Sequence, residues 1–206
     1  MNHRPNRPEA GTIHFEPIDL SELRSELHAM LYQRSFKFGD FVLRSGRRSD
    51  FYFDGKQVTL DGRGLYLVSR LILERCHQLA EVTAVGGMTL GADPIAAGVA
   101  ALSGMEDPRP LQAFIVRKEV KDHGTGKPIE GPMLQAGQRV VLVEDTITTG
   151  GALLQAYDRV VETGAVPVEA IVIVDREEGG REACAERGLA LHALFRRSEF
   201  PTPARA

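Results

Sequence analysis

Residues 140–152, Val-Val-Leu-Val-Glu-Asp-Thr-Ile-Thr-Thr-Gly-Gly-Ala, are the most informative stretch of the chain. Four consecutive apolar residues, three of them valine, predict a strand that is buried on both faces. Two carboxylates, Glu144 and Asp145, follow directly, and a Thr/Gly loop then leads into an apolar helical period from Ala152. Loop amides and a helix N-terminus attract a phosphate, and carboxylates accept from sugar hydroxyls. The stretch therefore predicts a site for a phosphorylated sugar.

An ordinary turn between a strand and a helix is the alternative interpretation, in which Asp and Thr only cap the helix. Capping accounts for one or two of the polar residues. It does not account for two adjacent acids after a buried strand, because like charges repel unless a ligand or partner uses them. We therefore favour the ligand site.

Composition excludes several classes of protein. The 206 residues suit one large domain, and 28 acids against 25 bases give a formal net charge of −3. This net negative charge gives no long-range attraction to nucleic acid, so any site for an anion must be a local cluster of positive charges or backbone amides. No stretch approaches the ~18 apolar residues that a membrane span needs. Cys76 and Cys184 form no metal or redox motif, so we expect reduced thiols in a cytoplasmic protein.

The apolar pattern after residue 80 alternates between strands and helices. This alternation predicts an α/β fold with a mainly parallel central sheet flanked by helices on both faces. The predicted strands are 82–85, 111–116, 139–143, 168–174 and 189–195. In such sheets ligands bind at the carboxyl ends of the strands, where Gly86, Arg117, Glu144 and Asp175 all fall.

The residues before the alternation predict a small N-terminal hood. A helix capped by Asp19 precedes two short strands, 41–43 and 51–53. The domain organisation that we expect is a flexible arm (1–17), a single domain (18–200) to whose hood 18–60 contribute, and a flexible tail (201–206).

A long basic loop, residues 117–131, is the second unusual feature. It is far longer than most connections between strands, and its glycines and proline resist regular structure. Its cations are Arg117, Lys118, Lys121, His123 and Lys127. We expect a lid that closes over the phosphate site and brings positive charge to a leaving polyanion. A solvated charged hairpin is the alternative if the loop is considered alone.

A glycine-rich turn, residues 86–94, is a third loop at a strand end. Its sequence is Gly-Gly-Met-Thr-Leu-Gly-Ala-Asp-Pro, and its amides can approach a diphosphate closely. The spacing fits neither the Walker lysine loop nor the dinucleotide fingerprint, which argues against an ATPase or a dehydrogenase. A tight turn explains the glycines equally well.

Taken together and in this order, these segments resemble the orotate phosphoribosyltransferase family, one of the type I phosphoribosyltransferases. The segments that carry the resemblance are 43–49, 86–96, 117–124, 144–152 and 175–177. The basic loop discriminates most, because purine phosphoribosyltransferases carry a different loop there. The resemblance implies the type I phosphoribosyltransferase fold across nearly the whole chain.

The implied reaction is transfer of the 5-phosphoribosyl group from phosphoribosyl pyrophosphate (PRPP) to orotate. Its products are orotidine 5′-phosphate and pyrophosphate, in the synthesis of UMP. The resemblance further implies Mg²⁺ bound mainly to PRPP oxygens, with no metal site of the protein's own. It also implies a homodimer with shared active sites, in which the lid is partly supplied across the interface.

The resemblance assigns roles to residues of this chain. The implied PRPP-binding residues are Arg44, Arg117, Lys118, Lys121, His123, Glu144, Asp145, Thr146, Ile147, Thr148, Thr149, Gly150, Gly151 and Ala152. Of these, Lys121 and His123 are implied to be catalytic. Thr148 and Arg176 would bind orotate, the arginine as a two-pronged donor to its carboxylate. Leu90 departs from relatives that carry a lysine at that position, so the glycine-rich turn here offers no such cation.

Two other functions remain open at this stage. A phosphoribosyltransferase for another nucleobase would keep the PRPP loop but would not need Arg176 opposite a carboxylate. A PRPP-sensing regulator that binds nucleic acid would need a basic face or an added DNA-binding domain. The negative net charge and the short arm before residue 18 argue against the regulator.

Overall fold

The computed structural model describes residues 18–42, 48–119 and 128–202 of the chain. Their elements, in chain order, are α1 (Leu20–Arg34), β1 (Phe36–Val42), β2 (Arg48–Phe53), α2 (Lys56–Thr59), α3 (Gly62–His77), β3 (Val82–Met88), α4 (Ala92–Glu106), β4 (Gln112–Val116), β5 (Ile129–Glu130), β6 (Arg139–Ile147), α5 (Gly151–Val161), β7 (Val166–Asp175), α6 (Gly180–Glu186), β8 (Leu191–Arg196) and a 3₁₀ turn (Arg197–Glu199).

The central sheet has six strands in the order β5-β4-β3-β6-β7-β8. Strand β5 runs antiparallel to β4, and every other neighbouring pair is parallel. Crossovers between parallel strands need intervening segments, and α4, α5 and α6 supply them. The mainly parallel α/β sheet predicted from the sequence is confirmed.

Two apolar clusters cover the two faces of this sheet, because successive side chains of a strand point to opposite sides. Val141 and Val143 pack in one cluster with residues of α1, α3 and α4. Val140 and Leu142 pack in the other with residues of α5 and α6. All four side chains are fully buried, so the apolar run that opened the sequence is the centre of the sheet.

The hood contains an antiparallel hairpin of β1 and β2. Phe36, Phe51 and Phe53 are buried there, and the Phe36 ring lies 4.5 Å from the ring of Phe200 near the C-terminus. The predicted cap of α1 is confirmed: the Asp19 carboxylate accepts from the Ser21 amide at 2.8 Å. Both strands begin earlier than the sequence predicted, at residues 36 and 48 rather than 41 and 51. Burial of Phe36 extends β1, and pairing of Arg48 and Ser49 with Val42 and Phe41 extends β2.

Strand β6 is longer than predicted, and this changes the setting of the acids. Pairing with β7 continues through Glu144 opposite Val172 to Ile147 opposite Asp175. Glu144 and Asp145 therefore lie within the strand, near its carboxyl end, and not in a turn after it. Two short elements, α2 and β5, were not predicted at all.

The domain boundaries stay predictions, since residues 1–17 and 203–206 lie outside the described residues. Within the described ranges, none of the helices has the length and apolar character needed to cross a membrane.

Candidate active site

The carboxyl ends of four neighbouring strands form one edge of the sheet. Met88 of β3 pairs with Val116 of β4, so the glycine-rich turn and Arg117 leave the sheet side by side. On the other side of β3, strand β6 reaches the same edge, and its last residue pairs with Asp175 of β7. The structure thus brings Arg117, Glu144 and Asp175 to this edge. Gly86 lies inside β3, paired with Phe114 of β4 and Leu142 of β6, because this strand continues to Met88 and does not end at residue 85 as predicted.

Glu144 and Asp145, hereafter the acid pair, are buried at this edge, and each is 8% exposed. The Asp145 amide donates to Glu144 Oε1 at 3.1 Å. Burial, reinforced by the neighbouring Asp145 carboxylate, holds the pKa of Glu144 well above its usual value. Burial also raises the pKa of Asp145. The site therefore holds two carboxyl groups whose charged forms are disfavoured until a ligand supplies hydrogen-bond donors or positive charge.

Two glycines let backbone segments close on the acid pair. A Cβ on Gly91 would overlap Glu144 Oε1 and lie 3.0 Å from Asp145 Oδ1. A Cβ on Gly55 would lie only 2.8 Å from the Asp145 Cβ. Neither glycine has a positive φ, so close approach, and not backbone conformation, requires them. The glycine-rich turn and the start of α2 therefore both contact the acids.

The loop after the acids, residues 146–152 and hereafter the phosphate loop, leads from β6 into α5. Gly150 has a φ of +86°, and no side chain of the described residues caps the helix. The first amides of α5 are therefore left for solvent or a ligand, as at helix N-termini that bind anions. A cavity of about 240 Å³ is lined here by Glu144 and by residues from Thr146 to Leu153. Thr149 is exposed and Thr148 is half-buried.

Arg176 follows β7 and is 9% exposed. Its amide donates to the Ile147 carbonyl at 3.0 Å, which fixes it beside the start of the phosphate loop. Its Nε donates to Glu178 Oε1 at 2.8 Å, and its guanidinium lies 4.5 Å from the ring centre of Phe51 in the hood. The predicted orotate-binding arginine is thus held by a carboxylate and an aromatic ring near Thr148.

The described ends of the basic loop form a hairpin. The Arg117 amide donates to the Pro128 carbonyl at 2.9 Å, and Arg117 Nη1 pairs with Glu130 Oε1 at 2.7 Å. Lys118 is exposed beside it. Lys121, His123 and Arg44 lie outside the described residues.

The family of the chain follows from comparison with known proteins. A model described as "Phosphoribosyl transferase domain" matches residues 61–188. The chain is 49% identical over 182 residues to the orotate phosphoribosyltransferase of Thermosynechococcus vestitus, covering 88% of the chain and 94% of that protein. The chain belongs to the orotate phosphoribosyltransferase family. The family member from Aquifex aeolicus is 42% identical over 86% of the chain and 97% of that protein.

Solved structures of the same family share this fold. An orotate phosphoribosyltransferase of Mycobacterium tuberculosis, in complex with Fe(III) dicitrate, gives a TM-score of 0.74 at 37% identity. The enzyme of that organism in complex with PRPP gives a TM-score of 0.70 at 35% identity. Each comparison covers 86% of this chain and 98% of the other. The prediction of an orotate phosphoribosyltransferase fold is confirmed.

Sequence reasoning missed several residues of the site. Gly55 and Lys56 were not singled out, because their approach to Asp145 depends on how the hood docks against the sheet. Asp93 was missed as well: Thr89 Oγ1 donates to its Oδ2 at 2.8 Å and closes the glycine-rich turn. A threonine four residues before an acid at a helix start was the available signal.

A larger cleft, about 580 Å³, lies at the opposite edge of the sheet. Its lining includes His77, Asp107 and Arg139. His77 Nε2 lies 3.1 Å from both Asp107 carboxylate oxygens, and Arg139 Nε donates to the Ala80 carbonyl at 2.8 Å. His77 and Asp107 pair with each other, and Arg139 bonds the backbone, so the size of this cleft does not make it the catalytic site.

Proposed function

We propose that this chain catalyses transfer of the 5-phosphoribosyl group from PRPP to N1 of orotate, which yields orotidine 5′-phosphate and pyrophosphate for UMP synthesis. Relatives at 42–49% identity over most of the chain carry the name orotate phosphoribosyltransferase. The observation that carries the proposal is the acid pair, buried directly before the phosphate loop at an edge that also holds Arg176.

The ribose 5-phosphate part of PRPP occupies the phosphate loop in this proposal. The 5′-phosphate accepts from the amides of residues 148–152 and from the hydroxyls of Thr148 and Thr149, with Thr146, Ile147, Gly150, Gly151 and Ala152 completing the wrap. The ribose hydroxyls donate to Glu144 and Asp145. Those hydrogen bonds stabilise the ionised carboxylates, which offsets the burial that raises both pKa values.

Orotate lies between the phosphate loop and the hood. The Arg176 guanidinium donates to the orotate carboxylate, and Thr148 contacts the ring. Glu178 and Phe51 hold the guanidinium in place, which limits the entropy lost on binding. A base without a carboxylate would leave this buried arginine without its ligand, which disfavours other nucleobases.

Pyrophosphate lies between the glycine-rich turn and the basic loop. Arg117, Lys118, Lys121 and His123 supply positive charge there, with Arg44 near both the pyrophosphate and the base. Because C1′ gains oxocarbenium character as pyrophosphate departs, the reaction needs charge neutralisation and positioning and no side-chain nucleophile. Lys121 and His123 act on the leaving group in this scheme.

We infer that Mg²⁺ enters the active site bound to PRPP. The described residues contain no group of three or more His, Cys, Asp or Glu side chains placed to hold a metal. In this proposal PRPP oxygens and waters supply most of the ligands, because Mg²⁺ prefers oxygen and retains water. The ion would neutralise pyrophosphate charge, while the acid pair binds the sugar.

The assembly and location of the protein are further parts of the proposal. We infer a homodimer in which the partner subunit contributes part of the lid to each active site. Cys76 and Cys184 are buried and unpaired, and burial raises the pKa of Cys76 to about 12, which suits unreactive thiols in the cytoplasm.

Orotate consumption, followed by its ultraviolet absorbance, tests the function. We expect loss of orotate that requires both PRPP and Mg²⁺. Turnover of uracil or a purine base in place of orotate would leave the phosphoribosyltransferase assignment standing and show that the acceptor is another base. PRPP binding without turnover of any base, together with a salt-sensitive gel shift of RNA or DNA, would support the regulator instead.

Replacing Lys121 by alanine tests the lid. We expect the turnover number to fall about 10²–10³-fold, as for loss of one transition-state donor, while the KM for PRPP changes little. Lys37→Ala, at an exposed position of β1, is the control and should leave turnover unchanged. Unchanged turnover in Lys121→Ala would remove the lid from the mechanism.

A further inference from the structure

Lys56 is a cation beside the acid pair to which the proposed function gives no role. It is the first residue of α2, directly after Gly55, whose backbone packs against the Asp145 side chain. Its positive charge opposes the rise that burial causes in the pKa of Asp145. Its side chain remains 39% exposed, so a ligand can reach it.

Asp54 holds Lys56 in a defined place. The Lys56 ammonium lies 2.8 Å from Asp54 Oδ1, and the Lys56 amide donates to the same oxygen at 3.2 Å. Gln57 Nε2 donates to the other carboxylate oxygen at 3.1 Å, and the Asp54 amide donates to the Ser35 carbonyl at 2.9 Å. Three hydrogen bonds besides the ion pair itself therefore hold Asp54 and Lys56 in place, which distinguishes them from an isolated surface pair.

The position of Asp145 links Lys56 to the glycine-rich turn. Asp145 contacts Gly55 on one side and approaches Gly91 of the turn through Oδ1. The start of α2 and the turn therefore flank the same carboxylate, and a ligand that spans the acid pair and the turn passes close to Lys56. In the proposed function that ligand is PRPP, with its ribose on the acids and its diphosphate at the turn.

The turn itself contributes little positive charge. The side chain of Leu90, 65% exposed at the tip of the turn, carries no hydrogen-bond donor or charge, and Asp93 adds a carboxylate at the end of the turn. A diphosphate placed there faces three acids, Glu144, Asp145 and Asp93, and a cation beside the acid pair adds to Mg²⁺ and the basic loop in offsetting their repulsion. An ammonium has three donors, and the described contacts of Lys56 with Asp54 leave donors available for the ligand.

We propose that Lys56 is a PRPP-binding residue that contacts the diphosphate from the hood side of the glycine-rich turn. This assignment rests on the proposed function, because it takes PRPP as the ligand. Asp54 is the positioning residue that orients the ammonium. The hood thereby contributes to binding of PRPP as well as of orotate.

Binding of PRPP and of ribose 5-phosphate to Lys56→Met, measured without orotate, tests this proposal. Ribose 5-phosphate has the sugar and the 5′-phosphate but no diphosphate. We expect the affinity for PRPP to fall tenfold or more and the affinity for ribose 5-phosphate to stay within twofold. Lys56→Arg, which keeps the charge, should retain most of the PRPP affinity, and Lys37→Met is the matched control outside the site.

Two outcomes would overturn the assignment. PRPP affinity within twofold of wild type would show that Lys56 does not contact the ligand. An equal loss for both ligands would show that Lys56 acts through Asp145 on the sugar. Melting curves establish that each variant is folded, and Lys56→Gln replaces the methionine variant if that one is not.

The same measurements separate this proposal from the proposed function. If wild type binds PRPP but does not consume orotate, the orotate assignment fails, and the Lys56 variants still decide the diphosphate contact. If wild type does not bind PRPP at all, both proposals fail together.

Discussion

Two buried clusters of charged side chains differ in how their charge is balanced. On the helical layer, Arg70 of α3 is 3% exposed and pairs with Glu106 of α4 through both terminal nitrogens, one at 2.6 Å. Glu74 lies 3.4 Å from the same guanidinium. At the carboxyl edge of the sheet, Glu144 and Asp145 are nearly as buried, but they carry charges of the same sign.

The difference separates a structural cluster from a functional one. In the Arg70 cluster each carboxylate lies against a guanidinium of opposite charge within the fold, so the cluster needs no ligand. The acid pair is not balanced in this way, and burial raises the pKa of both of its carboxyl groups. Such an arrangement lowers the stability of the unliganded protein and is kept where a ligand uses it.

The largest effect on stability should come from the balanced cluster. Arg70→Ala leaves Glu106 without its partner, and we expect a loss of about 3 kcal/mol, the low end for a broken buried pair because Glu106 is partly exposed. Urea unfolding measures the loss. In Arg70→Met/Glu106→Leu both charges are removed, and most of the stability should return. A loss below about 1 kcal/mol in Arg70→Ala would show that the pair is not structural.

The acid pair should govern activity instead. Asp145→Asn keeps the size that fits against Gly55 but weakens the acceptor for a ribose hydroxyl. We expect kcat/KM for PRPP to fall about 10²–10³-fold, comparable to the loss of one preorganised hydrogen bond. Glu74→Gln is the matched control from the structural cluster and should keep activity within about twofold, as expected for a solvent-screened partner. Equal effects in the two variants would remove the distinction between the clusters.

A smaller effect is expected at Arg176, because Glu178 and Phe51 already hold its guanidinium in place before the orotate carboxylate binds. Arg176→Lys keeps the charge but loses the planar fork. We expect the KM for orotate to rise roughly 10-fold and the KM for PRPP to be unchanged, as for one lost charged hydrogen bond.

Arg197→Lys is the control for that variant, because the Arg197 guanidinium also lies against the Phe51 ring, at 4.6 Å. Its KM for orotate should match wild type. If Arg176→Lys instead raises the KM for PRPP and leaves the KM for orotate unchanged, Arg176 binds PRPP and not orotate.

The sequence predicts the parts of this site that depend on local pattern. The buried valines, the acids and the Thr/Gly loop follow one another in the chain, so strand burial, helix start and ligand type can be inferred together. The end of β6 was predicted too early, because an acid usually ends a buried strand, whereas here pairing with β7 continues to Ile147.

The parts that depend on docking between distant segments could not be predicted. Nothing near Gly55 or Lys56 in the chain indicates that they approach Asp145, and nothing near Arg176 indicates the ring of Phe51. The two-residue strand β5 and the four-residue helix α2 are too short to show a period. These contacts are set by the hood, where the apolar pattern was least regular.

Whether the acid pair destabilises the unliganded protein is measured most directly by the melting temperatures of wild type and Glu144→Gln, without ligand, between pH 5 and pH 8. Glutamine retains the Oε1 acceptor for the Asp145 amide. The pKa of Glu144 is higher in the folded state than in the unfolded state, where it is near 4.5. The protonated side chain therefore contributes its full stabilisation below pH 4.5, and this stabilisation is lost as the pH rises through the folded-state pKa. We predict that Glu144→Gln melts higher than wild type at pH 8, by about 2–4 °C for each kcal/mol gained in the free energy of unfolding. The difference between the two melting temperatures should narrow toward pH 5. A difference in melting temperature that does not change with pH, or a variant that melts below wild type at pH 8, would show that the ionised Glu144 does not destabilise the unliganded protein.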